Sequence, residues 1–222
     1  MSFANSINTS AFNRNFAYHY DECDNTVAWD TRSSGTASAC NGILGEAGHP
    51  GMIQLVTGTD TGGKASALYS YIGSNVPQWL PSTGSFYYET SVKIITLATG
   101  GDDYDYYVGP SDGWVFGSPG NGVYFRYDRA TSLNWLGVSA NGGAFTSTDT
   151  GIPVTTGWHR LTVKGNSSSV QFYVDDVLGA TNTTNFPTNG LNINSHMVFK
   201  TAGTTSRTFY QDYFYWTQQV SR

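Results

Sequence analysis

Hydrophobic and polar residues alternate along most of this chain with a period of two, the pattern of strands with one dry and one wet face. In Trp158–Lys164, Leu161 and Val163 point one way while Arg160, Thr162 and Lys164 point the other. In Val170–Val174, Val170, Phe172 and Val174 oppose Gln171, Tyr173 and Asp175. A Gly-Asn-Ser turn joins these two strands, and a tight turn at Asp175-Asp176 leads into a third. Phe86–Ile95 is the cleanest strand: Phe86, Tyr88, Thr90, Val92 and Ile94 form one face, and Tyr87, Glu89, Ser91 and Lys93 the other. Val123, Phe125 and Tyr127 oppose Tyr124, Arg126 and Asp128 in the same manner. Ile53 and Leu55 flank Gln54, and Ala67, Tyr69 and Tyr71 alternate with Ser66 and Ser70. Further strands are predicted over Leu133–Val138, Met197–Lys200 and Arg207–Thr217.

Turn signals separate these runs at residues 61–63, 111–113, 119–122, 141–143 and 188–190. Ser38–Leu44 is the one stretch whose spacing suits a helical turn. Many short strands, regular turns and no solenoid or propeller repeat predict an all-β sandwich or barrel.

Length fits this picture, because 222 residues make one large all-β domain without a second core. Residues 31–222 are assigned to the sandwich, and residues 1–30, rich in Asn, Ser and Phe without a clear period, to an N-terminal arm or edge strand. Charged residues are only 12% of the chain and aromatics 15%, a balance suited to a turn-rich extracellular-type β protein rather than to disorder. The net charge of −5 supplies no phosphate-neutralising stripe, so nucleic acid is excluded as a general partner. No apolar run reaches membrane-spanning length, which argues against membrane insertion. The N-terminus lacks a basic-then-apolar signal peptide, so either a signal has been trimmed from an extracellular protein or the chain leaves its cell by another route, such as assembly into a virion. Cys23 and Cys40 allow either one disulfide or two free thiols.

The hairpin "GWHRLTV…VQFYVDDVL" resembles that of concanavalin A-like lectin/glucanase domains, the laminin-G-like jelly rolls. Three further segments are similar to the concanavalin A-like modules of bacteriophage tail fibre and other virion proteins: the run from Gly48 through Gly63 to Ala65, the run Val123–Trp135, and Phe199-Lys200 joined through Gly203 to Arg207–Tyr215. Together they cover roughly Gly48 to Trp216. The resemblance implies a jelly-roll β-sandwich of two antiparallel sheets, which meets carbohydrate through its concave sheet as binder or enzyme. It implies as partners a host-surface polysaccharide or glycan and other virion proteins, with a homo-oligomer as a further expectation. Asp176 departs from the family, where glycine is usual, and leaves the turn type open.

Candidate chemistry narrows the function. Glucanases of this fold carry a Glu-x-Asp-x-(x)-Glu strand that sets carboxylates around the scissile bond. Here Glu22, Glu46 and Glu89 are far apart in sequence. Asp103 and Asp105 share one side of a strand, about 7 Å apart by strand rise. With Asp102 they form a candidate calcium site, a candidate glycosidase pair or a solvated acidic loop. Calcium is the one cofactor this cluster suits. Tyr87, Tyr124, Arg126, Gln171, Tyr173 and His159 include the residue types of a polysaccharide lyase, but the paired motifs of alginate lyases are absent. No Gly-x-Ser-x-Gly elbow is present, and the histidines lack a ligand-spaced partner, which favours packed roles for His49 and His159. The sequons at Asn8, Asn166 and Asn182 carry little weight in a Ser/Thr/Asn-rich chain.

Tyr88, Phe125, Tyr127, Phe172 and Trp216 share faces with aliphatic residues and are expected in the core. Tyr87, Tyr124 and Tyr173 fall on wet faces, and Trp114 lies in a Ser-Asp-Gly-Trp loop. Such rings stack on the C–H face of a pyranose while polar neighbours hold its hydroxyls. With Glu89, Arg126 and Asp128 they form the candidate carbohydrate surface; the competing reading is a contact with neighbouring subunits or domains. The expected function is a non-catalytic virion surface or tail module that recognises host carbohydrate. The alternatives are a polysaccharide lyase or glycosidase, and a purely structural decoration or oligomerisation domain.

Overall fold

The computed structural model describes residues 16–24, 29–69, 84–112 and 118–219. In chain order the strands are β1 (Phe16–Asp21), β2 (Trp29–Ser34), β3 (Ser38–Glu46), β4 (His49–Thr57) and β5 (Lys64–Tyr69). They continue as β6 (Phe86–Ile94), β7 (Tyr104–Ser111), β8 (Gly122–Asp128), β9 (Asn134–Asn141) and β10 (Ala144–Pro153). The last five are β11 (Trp158–Gly165), β12 (Val170–Val174), β13 (Val177–Asn182), β14 (Asn192–Lys200) and β15 (Thr208–Gln219). Two antiparallel sheets result. One runs β13-β12-β11-β6-β15-β4-β3, with β1 added beside β15; the other runs β10-β9-β8-β7-β14-β5-β2. The all-β jelly-roll sandwich expected from the sequence is the fold observed.

Apolar faces of the alternating strands build the core between the sheets. Tyr88, Phe125, Tyr127, Phe172 and Trp216 all lie in it, with Trp135, Phe209 and Phe214. Fully burying one such side chain contributes roughly 1.5–3 kcal/mol. Packing is tight enough that β9 needs glycine at 137, where a Cβ would come within 2.5 Å of the Phe172 ring. A polar chain crosses this core. The Tyr88 hydroxyl donates to Asn194 Oδ1 at 2.5 Å, Asn194 Nδ2 to Gln211 Oε1 at 3.1 Å, and Gln211 Nε2 to Thr90 Oγ1 at 2.7 Å. Thr90 in turn donates to the Tyr213 carbonyl at 2.6 Å, so each link satisfies a group that burial would otherwise penalise.

That last bond sits at a register break. β15 pairs with β6 on either side of a shift between Gln211 and Phe214. The extra residue turns two successive side chains, Asp212 and Tyr213, towards groups on the outer face: Asp212 bonds His49 and Tyr213 bonds Glu89.

Several expectations are corrected here. Ser38–Leu44 is not a helical turn but most of β3, paired with β4 from Ser38↔Thr57 to Glu46↔His49. As the last strand of its sheet it leaves Leu44 94% exposed, which blurred its alternation. β7 was unmarked beyond Asp105 because nearly all its residues are buried on both faces, which removes the period-two signal. β10 is an edge strand with a mostly exposed polar sequence. The β12–β13 turn has positive φ at both Asp175 (50°) and Asp176 (69°), the signature of a type I′ hairpin. Asp175 holds this turn by accepting from the Arg160 amide at 2.8 Å and bonding His159 Nδ1 at 2.7 Å, while Arg160 pairs with Asp176. Cys23 and Cys40 are free thiols; burial raises both, Cys40 to about 12.

Candidate functional site

The outer face of the eight-stranded sheet carries a cluster of half-exposed tyrosines. Register fixes its rows. Tyr173 of β12, Thr162 of β11, Glu89 of β6 and Tyr215 of β15 are successive cross-strand partners. The next row is Gln171, Lys164, Tyr87 and Thr217. Glu89 is the hub: its carboxylate accepts from the Tyr87 hydroxyl, from Tyr213 at 2.8 Å and from Thr162 at 3.4 Å. Burial, reinforced by this carboxylate, raises Tyr87 and Tyr213 above the usual phenol range, so both stay neutral donors. The rings of Tyr87 and Tyr215 meet edge-on at 5.9 Å, and Tyr20 approaches Tyr213 at 6.1 Å. Lys164 is exposed, with Nζ 4.5 Å from the Tyr173 ring centroid and 5.6 Å from that of Tyr87.

Further along the same face, His49 stacks on Trp158 at 3.8 Å and bonds Asp212 at 2.8 Å. Glu46 accepts from Lys93 at 2.7 Å and from the Trp158 indole; these bonds hold its carboxyl below the usual carboxylate range. His159 lies inside, between Asp175 and the Thr155 hydroxyl at 2.8 Å, in the packed role expected of it. Hydroxyls, one carboxylate, a cation and exposed ring faces are a recognition chemistry.

The predicted surface is therefore divided. Tyr87, Glu89 and Tyr173 come together, but Tyr124, Arg126 and Asp128 lie on β8 in the other sheet and face the opposite side of the molecule. Tyr124 is not on a wet face. It is 3% exposed and packs with Leu68, Tyr107, Leu136, Val138, Ala140, Met197 and Phe199 in a second apolar cluster on the outside of that sheet. Pro119 and Ser118 lie against it, accepting from the Tyr124 hydroxyl at 3.4 Å and bonding that of Tyr107 at 2.8 Å. Alternation alone cannot show that an outer face is covered. Trp114 lies outside the described residues.

The acidic triplet is divided as well. Asp102 is buried against Arg207 at 3.0 Å, Asp103 accepts from the Tyr104 amide at 2.9 Å, and Asp105 pairs with Arg126 at 3.3 Å. Among the described residues no three acidic, histidine or cysteine side chains converge as a metal site, so the calcium reading of Asp102, Asp103 and Asp105 is not carried by the geometry. Asp105 and Asp128 do flank Arg126, and burial raises Asp105. Asp128, however, also accepts from the amides of Ala130 and Thr131 and from the Thr131 hydroxyl, so this trio fastens a turn.

Tyr213, Tyr215 and Lys164 were missing from the predicted surface. Lys164 and Tyr215 were legible, because Tyr215 alternates with Trp216 and Lys164 with Val163. Tyr213 was legible too, since it shares the parity of Tyr215 and alternates with Phe214.

Solved structures of similar fold include the Bacillus licheniformis beta-glucanase, 14% identical with a TM-score of 0.57, where the match covers 92% of this chain and 98% of that one. A prokaryotic beta-1,3-1,4-glucanase (lichenase) derived from a mouse hindgut metagenome is 11% identical at TM-score 0.61, covering 90% and 98%. The ganglioside-interacting botulinum neurotoxin type C is 13% identical at TM-score 0.53, covering 87% of this chain but only 44% of its own. At these identities the likeness is one of fold, the concanavalin A-like jelly roll. Comparison with curated proteins gives no match. Residues 48–212 match the family described as "SO2946-like, C-terminal domain", and the chain belongs to that family.

Proposed function

We propose that this chain is a non-catalytic carbohydrate-recognition module of a phage or other virion surface protein, and that it binds host-surface glycan on the outer face of the eight-stranded sheet. The observation that carries this reading is the cluster of Tyr87, Tyr173, Tyr213 and Tyr215 around Glu89 and Lys164. Partly exposed rings offer stacking surface for pyranoses, and the central carboxylate retains lone pairs for sugar hydroxyls. Fold relatives that are named for acting on glucans or meeting gangliosides support carbohydrate as the partner. The virion context, with its other virion proteins and an extracellular or virion location, rests on the segments that resemble phage tail fibre modules.

The test incubates the purified protein with a panel of bacterial and algal polysaccharides and follows both binding and chain length. Saturable binding without new reducing ends or unsaturated sugars is expected, and Tyr215→Ala is expected to weaken it about tenfold, as for a central aromatic contact. Shortened chains would instead establish an enzyme, and no binding at millimolar sugar would defeat the lectin reading.

A further inference from the structure

Within the tyrosine face one cation stands apart. Lys93 and Arg160, the neighbouring cations on this face, each pair with a carboxylate. Lys164 has none among the described residues; its ammonium is held between the rings of Tyr87 and Tyr173 instead. Its cross-strand partner is Gln171, whose Oε1 accepts from the Tyr173 hydroxyl at 3.0 Å. That bond orients the amide and leaves Nε2 as a donor with no protein acceptor among the described residues. An ammonium and an amide NH2 thus lie side by side on adjacent strands, flanked by aromatic rings and open to solvent. Two neighbouring donors, one charged, suit an anionic group with two acceptor oxygens. The acceptor side of the face, Glu89, lies one row away. Two residues of strand rise, roughly 7 Å, is about the span of one pyranose.

Resting on the carbohydrate reading above, we infer that the ligand is an acidic glycan whose carboxylate or sulfate is bound by Lys164 and Gln171 while an adjoining sugar ring lies on the tyrosines. The anion takes the two donors. A hydroxyl of the neighbouring sugar reaches Glu89, whose charge is shared with three hydroxyl donors and is therefore tolerated beside a ligand of the same sign. Carboxylate and sulfate share this chemistry, and the choice of probes separates them.

The experiment measures binding of the whole chain to polygalacturonate, to its carboxyl-reduced neutral form, to hyaluronate, to polysialic acid and to dextran sulfate. Saturable binding to at least one acidic polymer is expected, falling as salt rises. Where polygalacturonate binds, its carboxyl-reduced form is expected to be at least tenfold weaker. Lys164→Gln is expected to lose about tenfold to a hundredfold, the worth of one charge-assisted hydrogen bond, with Lys164→Arg restoring most of it. Arg129→Gln, on the far side of the sandwich, serves as the charge control and is expected to bind normally. Preference for dextran sulfate assigns the anion to sulfate, and preference for a uronate or sialate polymer assigns it to carboxylate. Equal binding of neutral and acidic polymers, or an unaltered Lys164→Gln, overturns this inference. If Tyr215→Ala still weakens neutral-sugar binding, the recognition face itself stands. Binding of no polymer, acidic or neutral, sinks both. Binding of acidic proteins alone, with no polysaccharide bound, also overturns it.

Discussion

His196 sets how this fold responds to acid. It lies on β14, fully buried, with its ring 5.3 Å from that of Tyr106, and neither ring nitrogen has a hydrogen-bond partner among the described residues. Among the described residues no carboxylate compensates a proton there, and burial lowers its pKa to about 3. In the unfolded chain an imidazole takes up a proton below about pH 6.5. Between those two values the unfolded state holds one more proton than the folded state, so stability falls as pH falls, by about 1.4 kcal/mol per unit. From pH 7 to 4.5 the loss from this residue alone comes to about 2.5 kcal/mol. His19, lowered to about 4 by burial, acts in the same direction. Asp21, raised to about 6 chiefly by burial, acts in the opposite one: its folded form binds the proton first, so acidification through that window is stabilising. These two contributions largely offset each other between pH 6 and 4. Urea unfolding of the wild type and of His196→Leu across this range isolates the contribution of His196. The stability difference between the two proteins should shift by about 2.5 kcal/mol in favour of the variant from pH 7 to pH 4.5. Parallel stability curves would show that His196 is protonated in the folded state and that the reasoning from burial is wrong.

Two further substitutions test the core and its buried charge. Gly137→Ala places a methyl group 2.5 Å from the buried Phe172 ring and should cost about 1–3 kcal/mol, seen as a Tm several degrees lower; an unchanged Tm refutes the tight packing. Arg207→Ala leaves the Asp102 carboxylate buried without its partner and should cost about 3–5 kcal/mol in urea unfolding, whereas Arg207→Leu combined with Asp102→Leu should recover much of that loss. A single substitution that costs less than the double one would refute the pairing.

The sequence made the sandwich legible because its alternating strands have one face in the core, and the outward residues of β6, β11 and β12 were read correctly from that period. It did not reveal which strands share a sheet. Glu89 and Arg126 each alternate cleanly, yet they look out from opposite sides of the molecule, and only pairing separates them. Tyr124 was misread because its face, polar at Arg126 and Asp128, is apolar across neighbouring strands at Tyr107, Leu136 and Met197, and such a patch exists only after register is set. The carboxylates of Asp102, Asp103 and Asp105 sit close in sequence, but Asp102 turns to a partner 105 residues away. The bulge in β15 is an irregularity that no period announces: Phe209 and Gln211 are buried, while Tyr213 and Tyr215 at the same parity look outward.

The central claim is that ligand binds on the tyrosine face of the eight-stranded sheet. Its most direct measurement is an amide chemical-shift map of the labelled protein titrated with an oligosaccharide from the polymer it binds best. The account predicts saturable shifts centred on Tyr87, Glu89, Lys164, Tyr173 and Tyr215, with those around Tyr124 and Arg126 unmoved. Shifts confined to the Tyr124 and Arg126 side of the sandwich would contradict it.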